Sequence, residues 1–458
     1  MSKKKGTQTF ELNSDSLLSD RLDVDYYKDS QNSAVAVARQ FGLPFEKLGN
    51  LVDEIQIGKY EKPVADENAI DALKSSAIKP FHILGSQMAK FPEESGAPRI
   101  TVDNDILVNL RGESVGNTAI ASKKFVGVLL AQGIALIKCK TTKIMPWYLM
   151  AYLNSPIGNY EIKRLVPSTR SGLSISALQS LDVILPPFGT QERFTKDVQK
   201  SVNMFEKERL AQIEKESELL HLIWSELDVP ENIESSTRQS KLVSSDALLD
   251  GERWDAAYIM GLYGDILEGY SKYPIFSLGS LARDLRTGMN PPKEDFSPEG
   301  IPFIRITEMS SGNLDLENCK AVLSGRRKSV AVSGDVLIST AGTLGATAVI
   351  PDKTTIMAST GLAIITPDSK MVDPNYLAIY IKTIGADQIN RYSTGGTIPH
   401  INLETLKNVQ IIVPDIKVQK EIVNKYSMLE NEINGHAERK EQILNDLLDS
   451  FVASLGGR

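Results

Sequence analysis

Basic and amide side chains in glycine- and proline-rich segments are the residues whose types and spacing could do chemistry in this sequence. Arg326-Arg327-Lys328 is the tightest cluster, and Arg286, Asn290 and Lys293 share a second segment. A guanidinium can bond a guanine edge, and an asparagine amide can bond an adenine edge, through two hydrogen bonds each. Such residues predict nucleic-acid contacts, although each one is also consistent with an ordinary surface charge. The candidates are Lys59, Lys62, Arg111, Lys123, Lys124, Arg170, Arg286, Asn290, Lys293, Arg305, Arg326, Arg327 and Lys328.

Catalytic sets are incomplete in this sequence. An amino-methyltransferase needs a polar side chain to meet the exocyclic amine and a ring to stack on a flipped base. Leu185-Pro-Pro-Phe188 lacks the polar group and Asn290-Pro-Pro-Lys293 lacks the ring. A nuclease set of Asp415, Glu438 and Lys440 would place two members inside a predicted helix, and a Walker-type glycine loop is missing. We therefore predict that the chain is not an enzyme.

Metal and disulfide chemistry is equally unsupported by the pattern. Cys139 and Cys319 are far apart, without Cys or His neighbours at metal-ligand spacing, and the four histidines are scattered. The 458 residues exceed one core, and 41% hydrophobic with 24% charged residues is an ordinary globular composition. No apolar run approaches the ~20 residues needed to span a bilayer, and no apolar run follows the basic start Met1–Gly6. We expect a cytoplasmic protein without a membrane partner.

The elements that must position these residues are repeated. Six short motifs recur in the same order at an offset close to half of the 458 residues, which indicates an internal duplication. Examples are Arg21-Leu-Asp with Arg253-Trp-Asp, Asp105-Ile-Leu-Val with Asp335-Val-Leu-Ile, and Leu181-Asp-Val-Ile-Leu-Pro186 with Val409-Gln-Ile-Ile-Val-Pro414. Each copy begins with short β-rich runs and short helical stretches, which predicts an α+β domain.

Each copy ends in a stretch rich in Glu, Lys, Gln and Leu and free of proline, which predicts a long helix. Apolar residues step by three and four along both stretches, the pattern of a coiled-coil seam. An amphipathic helix lying on its own domain is the alternative, but about 57 Å of helix exceeds the width of such a domain. His436 marks a polar seam position. The predicted apolar seam is Phe194, Val198, Val202, Phe205, Ile213, Leu220, Ile422, Tyr426, Leu429, Ile433 and Leu447.

The predicted fold class is therefore α+β, with two similar α+β domains separated by two long antiparallel coiled-coil helices in a pseudo-twofold duplication. The predicted bounds are 1–187 for the first domain with 1–13 flexible, 188–227 for the first helix, 228–252 for a linker, 253–414 for the second domain and 415–458 for the second helix.

The charge distribution bears on the partner. Taken over the whole chain, a net charge of −7 argues against the binding of nucleic acid. By segment, residues 21–187 carry +2 and 253–414 carry −1, whereas the helices and linker together carry −8. The excess of acidic residues lies in the helices and the linker, so the globular domains can still bind DNA. Two domains held apart by helices suit DNA, because its half-sites recur about every 34–36 Å.

The ordered motifs resemble the specificity subunit of type I restriction-modification systems. The likeness runs from 14 to 454 through the Arg-Leu/Trp-Asp starts, the Leu-Gly openings, Gly342-Thr-Leu-Gly345, Ser393–Pro399, and Gln191 and Gln419 near the starts of the two long helices. The first copy departs from the pattern at Arg111–Gly116 and Ser168–Gly172.

The resemblance implies two target-recognition domains, each reading one half of a bipartite asymmetric sequence in double-stranded DNA. It also implies that two DNA adenine methyltransferase subunits dock on the helices and that restriction/translocase subunits join them in phage defence. S-adenosylmethionine, ATP and Mg²⁺ would belong to those partners, and this chain would bind no cofactor. The alternative is a duplicated coiled-coil scaffold in another DNA-associated defence complex, without base reading.

Overall fold

A computed structural model describes residues 34–65, 68–166, 172–229, 272–309, 314–323, 329–393 and 399–456. The predicted flexible segment 1–13, the two Arg-Leu/Trp-Asp starts, and all of the linker 228–252 except Asp228 and Val229 lie outside these ranges. Two compact units form, 1–211 with 436–458 and 212–435, and the boundary between them falls within the two long helices.

The first unit is built on a four-stranded antiparallel sheet of order β2-β10-β7-β8. A three-stranded sheet of order β6-β3-β9 and the pairs β1-β11 and β4-β5 accompany it. Its strands are β1 (Phe45–Lys47), β2 (Val52–Ile57), β3 (Ile70–Leu73), β4 (Ile78–Lys79), β5 (His82–Ile83), β6 (Met88–Phe91), β7 (Ile106–Asn109), β8 (Thr118–Ile120), β9 (Leu129–Leu130), β10 (Ile134–Cys139) and β11 (Asp182–Ile184). Its helices are α1 (Ala34–Phe41), α2 (Leu48–Leu51), α3 (Pro146–Asn154), α4 (Pro156–Leu165), α5 (Ile175–Gln179) and the first part of α6 (Phe188–Glu226).

The second unit repeats this plan with a four-stranded sheet of order β13-β20-β17-β18. A second four-stranded sheet of order β15-β14-β19-β16 and the pair β12-β21 complete it. The strands are β12 (Ile275–Ser277), β13 (Ala282–Thr287), β14 (Phe296–Ile304), β15 (Lys320–Val322), β16 (Val330–Val332), β17 (Val336–Ser339), β18 (Thr347–Val349), β19 (Thr355–Ala358), β20 (Leu362–Pro367) and β21 (Gln410–Ile412). The helices are α7 (Leu278–Leu281), α8 (Pro374–Lys382), α9 (Ile384–Tyr392), α10 (Leu403–Lys407) and α11 (Ile416–Gly456), the last of which ends in the first unit.

The same structural devices recur in both copies, so the structure confirms the predicted duplicated α+β fold. In each unit a tyrosine of the helix that begins with proline, α3 or α8, is fully buried against the main sheet. The Tyr148 hydroxyl donates to the carbonyl of Ile184 at 2.7 Å, and Tyr376 does the same to Ile412 at 2.6 Å. These bonds satisfy the polar end of a ring that otherwise lies in a hydrocarbon core.

Both long helices contribute to both cores. In the first unit, Phe194 of α6 packs on Phe451 of α11 with ring centroids 5.2 Å apart. In the second unit, Ile223 of α6 and Ile422 of α11 belong to one buried cluster. Each domain therefore buries apolar surface against the helices. Separately, the helices within the described ranges do not include one with an apolar stretch of the length that a membrane span needs.

The two helices run antiparallel where they meet within each unit. In the first unit Glu208 lies 2.6 Å from His436, while Phe194 contacts Phe451 further out. In the second unit Lys215 pairs with Glu432 at 3.2 Å and Glu226 with Lys425 at 2.6 Å. The residue number rises along one helix as it falls along the other. The observed bounds, Phe188–Glu226 and Ile416–Gly456, lie within two residues of the predicted ones.

The seam between the helices differs from the predicted one at two residues. Phe194, Val198, Val202 and Phe205 are at most 7% exposed, Ile422, Tyr426 and Leu447 at most 4%, and Leu429 and Ile433 are half-buried. Ile213 and Leu220 are 48% and 55% exposed, so their assignment to the seam is wrong. Steps of three and four from Phe205 instead reach Arg209, Gln212 and Leu219, which are half-buried. The seam keeps its period and becomes polar in its middle.

Candidate nucleic-acid interface

One end of each main sheet collects the loops that carry candidate contacts. β2 and β7 end where β10 begins, because Ala135 pairs with Ile57 and Ile134 with Asn109. In the second unit β13 and β17 end where β20 begins, since Ala363 pairs with Thr287 and Leu362 with Ser339. We call this the loop end of each sheet.

Close backbone approach fixes the first loop at each loop end. The Gly58 N–H donates to Ile134 O at 2.8 Å, and the Gly288 N–H donates to Leu362 O at 2.9 Å. A Cβ at Gly58 would lie 2.1 Å from the Ala131 carbonyl oxygen, and one at Gly288 would lie 2.2 Å from that of Ser359. Only glycine fits at these two equivalent positions, so the segments that follow β2 and β13 leave the sheet in the same way.

Three predicted contacts lie at the loop end of the first unit. Lys59 and Lys62 follow β2, Arg111 follows β7, and all three are exposed. The backbone of Lys59 pairs with Ala131, and that of Arg111 pairs with Gly172. The sequence-distant Lys59 and Arg111 are thus brought to the same end of one sheet, as an anion-binding surface requires.

Buried polar residues that the sequence analysis missed support the loops after β7 and β17. Asn109, 1% exposed, donates to Ser114 Oγ at 2.8 Å and to Ser75 O at 3.1 Å, and its Oδ1 accepts from the Arg111 N–H at 3.1 Å. Ser339, fully buried at the equivalent position, donates to Thr343 O and accepts from Ala346 N at 2.9 Å.

Glycines with positive φ complete both of these loops. The angles are 73° and 92° at Gly112 and Gly116, and 70° and 75° at Gly342 and Gly345. The first copy therefore also has a glycine of positive φ at each end of this loop, although its loop is one residue longer than Gly342-Thr-Leu-Gly345. The sequence signal for the supporting residues was a polar residue at the last position of an otherwise apolar strand.

Two more predicted contacts lie at the loop end of the second unit. Asn290 is exposed, and its Oδ1 accepts from the Thr360 N–H at 3.3 Å. Lys293 is exposed at the start of a 3₁₀ helix, Lys293–Asp295. An amide and an ammonium group thus occupy the end that carries Lys59 and Arg111 in the first unit.

Arg286 has a structural role, and its contact with DNA stays a prediction. The side chain is 17% exposed, and its guanidinium donates to Asp284 Oδ2 at 2.8 Å and to Thr366 Oγ1 at 3.0 Å. It also donates to Val330 O at 2.8 Å and to Asp335 Oδ2 at 3.1 Å, and the Asp335 side chain is 2% exposed. These four hydrogen bonds hold the guanidinium in place within the domain.

Arg305 is also engaged, though its side chain stays 50% exposed. Its Nε donates to Glu308 Oε2 at 3.1 Å, a second guanidinium nitrogen contacts Oε1, and its backbone N–H donates to Oε2 at 2.9 Å. Burial acts to raise the pKa of Glu308, but the hydrogen bonds from Arg305 and Thr307 and the charge of Arg305 together outweigh it and the pKa is lowered. Arg305 therefore holds a carboxylate, and its contact with DNA stays a prediction.

Lys123 and Lys124 lie at the opposite end of the first sheet from Lys59 and Arg111, because β8 ends where Ile120 pairs with Ile106. Both are exposed in the 3₁₀ helix Lys123–Phe125. They line a cavity of about 640 Å³ together with Trp147 of α3 and Gln199 and Asn203 of α6. The structure thus separates these two lysines from the loop end.

The second unit has a groove built from the equivalent elements. A cavity of about 490 Å³ lies between β18, α8 and α11 and is lined by Val349, Asn375 and Ser427 among others. These three residues correspond in the duplication to Ile120, Trp147 and Gln199. Each unit therefore presents one groove between the edge strand of its main sheet and a long helix.

The remaining candidates, Arg170, Arg326, Arg327 and Lys328, and the loop residues 394–398 lie outside the described ranges. The residues that follow two of these gaps are at the loop ends. Gly172 pairs with Arg111, Ala341 pairs with His400, and the Gly342 N–H donates to Pro399 O at 3.0 Å. Within the described part of the chain, no group of three or more His, Cys, Asp or Glu side chains is placed to hold a metal ion.

These features define a duplicated α+β protein that presents two similar loop-bearing sheet ends. Residues 58–215 and 270–445 match the family model of the type I restriction modification DNA specificity domain. The matches cover most of the chain and fall once in each copy, so the chain belongs to this family and carries its domain twice. The predicted resemblance is confirmed.

The chain also matches individual proteins. The chain is 24% identical over 201 residues to the type I restriction enzyme EcoBI specificity subunit of Escherichia coli, and the match spans 41% of each chain. Among solved structures, the HsdS subunit from Thermoanaerobacter tengcongensis is 15% identical with a TM-score of 0.36, over 91% of this chain and 97% of that one. The type I restriction-modification S subunit from M. genitalium is 13% identical with a TM-score of 0.45, over 91% and 96%.

Proposed function

We propose that this chain is the DNA-recognition subunit of a type I restriction-modification complex and reads a bipartite asymmetric target, one domain to each half. The observation that carries the proposal is the repeated loop end. The two loop ends share strand register and the close backbone approach of Gly58 and Gly288, but they present Lys59 and Arg111 in one unit and Asn290 and Lys293 in the other. A common frame with different side chains suits two different half-sites.

The proposal extends to partners of defined number. Two equivalent grooves, one between β8 and α6 and one between β18 and α11, suit two copies of one partner. We assign that partner as a DNA adenine methyltransferase subunit, with restriction/translocase subunits joining the assembly. In this proposal S-adenosylmethionine, ATP and Mg²⁺ bind to those subunits, and this chain recognises the DNA sequence without catalysing a reaction.

The test is selection of DNA from a random-sequence pool by the chain assembled with its methyltransferase partner. We expect one split sequence with a fixed gap to be enriched, and its affinity to fall steeply with salt because phosphate contacts release counterions. Mapping methylated adenines in cells with and without the gene should give the same sequence. Enrichment of DNA regardless of sequence would contradict base reading and favour the scaffold alternative.

A triple variant tests the division of labour. Replacing Arg326, Arg327 and Lys328 together by alanine should weaken discrimination at one half-site by about 1–3 kcal/mol for each base pair that loses a bidentate contact, and leave the other half unchanged. Substrates with either half scrambled measure the two effects separately. Equal loss at both halves would remove these residues from base reading.

A further inference from the structure

A buried glutamine lies in the first turn of each long helix. Gln419 is fully buried in α11. Its Nε2 donates to Pro414 O at 2.7 Å and to Met371 O at 3.0 Å, and its Oε1 accepts from the Asp373 N–H at 2.7 Å. Asp373 is the residue that caps the start of α8, and Pro414 is the last residue but one before α11 begins. One amide therefore ties together the strand exit, the start of α8 and the long helix.

Gln191 has the same place in the first copy and is 2% exposed. Its Nε2 donates to Pro186 O at 3.1 Å, and its Oε1 accepts from the Met145 N–H at 3.1 Å. Met145 stands at the N-cap position of α3 as Asp373 stands at that of α8, although only the Asp373 side chain makes a capping hydrogen bond. Both copies of the domain thus have a glutamine that bonds the proline carbonyl before the long helix and the N–H at the N-cap position of α3 or α8, and Gln419 adds the bond to Met371 O.

The chemistry of the site requires an amide. A side chain that both donates and accepts is needed to satisfy a carbonyl and an N–H together, and among side chains of this length only glutamine does so without charge. Leaving these groups unpaired in a buried place would be costly. Since the bonds come from three elements, they restrict the direction in which the long helix leaves its own domain.

Small errors in this direction matter because the helices are long. The 39 residues of α6 correspond to about 58 Å at ~1.5 Å per residue. A tilt of only about 5° at the start would move the far end of such a helix by about 5 Å, more than the ~3.4 Å rise of one base pair along a strand.

We propose that Gln191 and Gln419 are positioning residues that set the exit direction of the two long helices and so restrict the gap allowed between the two half-sites. The inference rests on the proposed function and adds a specificity determinant that contacts no DNA. Both glutamines act through the long helices, so their loss alters tolerance to the gap and leaves the reading of each half intact.

The experiment uses the full chain assembled with its methyltransferase partner and DNA substrates whose gap varies in single base pairs. Wild type should methylate one gap length at least about tenfold faster than its neighbours. In Gln191→Leu and Gln419→Leu this ratio should fall from about tenfold towards one, because the long helices are no longer held to one exit direction. Discrimination against substitutions within either half should stay at the wild-type ratio.

Two further variants separate positioning from stability. Leu178→Ala removes buried volume from α5 of the first unit, outside the long helices and the amide bonds, and it should lower the melting temperature while keeping the gap ratio. Gln191→Glu and Gln419→Glu retain the side-chain length and the bond to the N–H but lose the donors. These variants replace the leucine variants if the latter do not fold, and a partial loss of the gap ratio is expected in them.

Wild-type gap ratios in folded glutamine variants would overturn this inference while leaving the proposed function intact. Wild type that shows no gap preference and no split target would instead overturn the proposed function itself.

Discussion

Arg286 and Arg283 lie on the same strand, β13, and have opposite surroundings. Arg283 pairs with Asp368 at 2.8 Å with side chains 54% and 30% exposed. The Arg286 and Asp335 side chains are 17% and 2% exposed. Arg286→Ala should lower the free energy of unfolding by about 2–3 kcal/mol, because Asp335 loses a charged donor in a buried place. Arg283→Ala should cost less than about 1 kcal/mol, as exposed ion pairs do.

Denaturant unfolding of the purified chain measures both changes. Similar losses in the two variants would show that the Arg286 network adds nothing beyond an ordinary surface pair. A loss of DNA affinity in Arg286→Ala at unchanged stability would return this residue to the interface.

Residue type predicted the exposure of Lys59, Lys62 and Lys293, because the neighbouring residues in sequence decide it, while their contact with DNA stays a prediction. It could not predict the role of Arg286, because the acceptors Thr366 and Asp335 are far along the chain and are brought close only by the pairing of β13, β20 and β17. The same reason hid Asn109, whose partner Ser75 belongs to another segment.

At the scale of the helices, a polar cluster occupies the seam of the first unit. Glu208 Oε2 lies 2.6 Å from His436 Nδ1 and accepts from Arg439 Nε at 2.8 Å. The hydrogen bond from His436 and then that from Arg439 lower the pKa of Glu208 below its ordinary value of 4.5. A depressed carboxyl pKa stabilises the fold above the ordinary value, and this contribution is lost as pH falls through the lower folded-state value.

Glu208→Gln should therefore destabilise the chain near neutral pH, and the difference from wild type should shrink below a pH of about 4. Thermal melts followed by far-ultraviolet circular dichroism between about pH 3 and 7 would measure it. Glu216→Gln is the matched control, since Glu216 is exposed and bonds Gln212 on its own helix. A difference between Glu208→Gln and wild type that does not change with pH would contradict the assigned role of the carboxylate.

Sequence periodicity predicted the two long helices and most of the seam residues, because the spacing of apolar residues by three and four is a local property of the chain. The prediction is wrong at Ile213 and Leu220 because these apolar residues lie off the period of the seam, which here passes through Arg209 and Gln212. A polar stretch in the middle of a seam costs stability and favours one register, as single polar residues do in other coiled coils. The alternative of helices lying on one domain each fails because both units contain parts of both helices.

For the whole molecule, the decisive question is whether the length of the helix pair sets the gap between the two half-sites in DNA. A seven-residue insertion directly after Glu208 and another directly before His436 would preserve the pair between these two residues, which face each other in the antiparallel helices, and would interrupt the ion pair between Glu206 and Arg209. Seven residues add about 10.5 Å and close to two helical turns, so the faces stay aligned within about 20°. We expect the preferred gap in the split target to lengthen by about one to three base pairs, since 10.5 Å equals about three steps of ~3.4 Å and the accompanying twist of DNA opposes the full change.

Selection of DNA by the doubly extended chain, assembled with its methyltransferase partner, measures the new gap. Extension of α6 alone is the control, and it should destabilise the chain because the ion pairs from Lys215 to Glu432 and from Glu226 to Lys425 move out of register with those of the first unit. A folded double-insertion variant that keeps the original gap would mean that the helices do not set the distance between half-sites, and the duplication would then need another explanation than a split target.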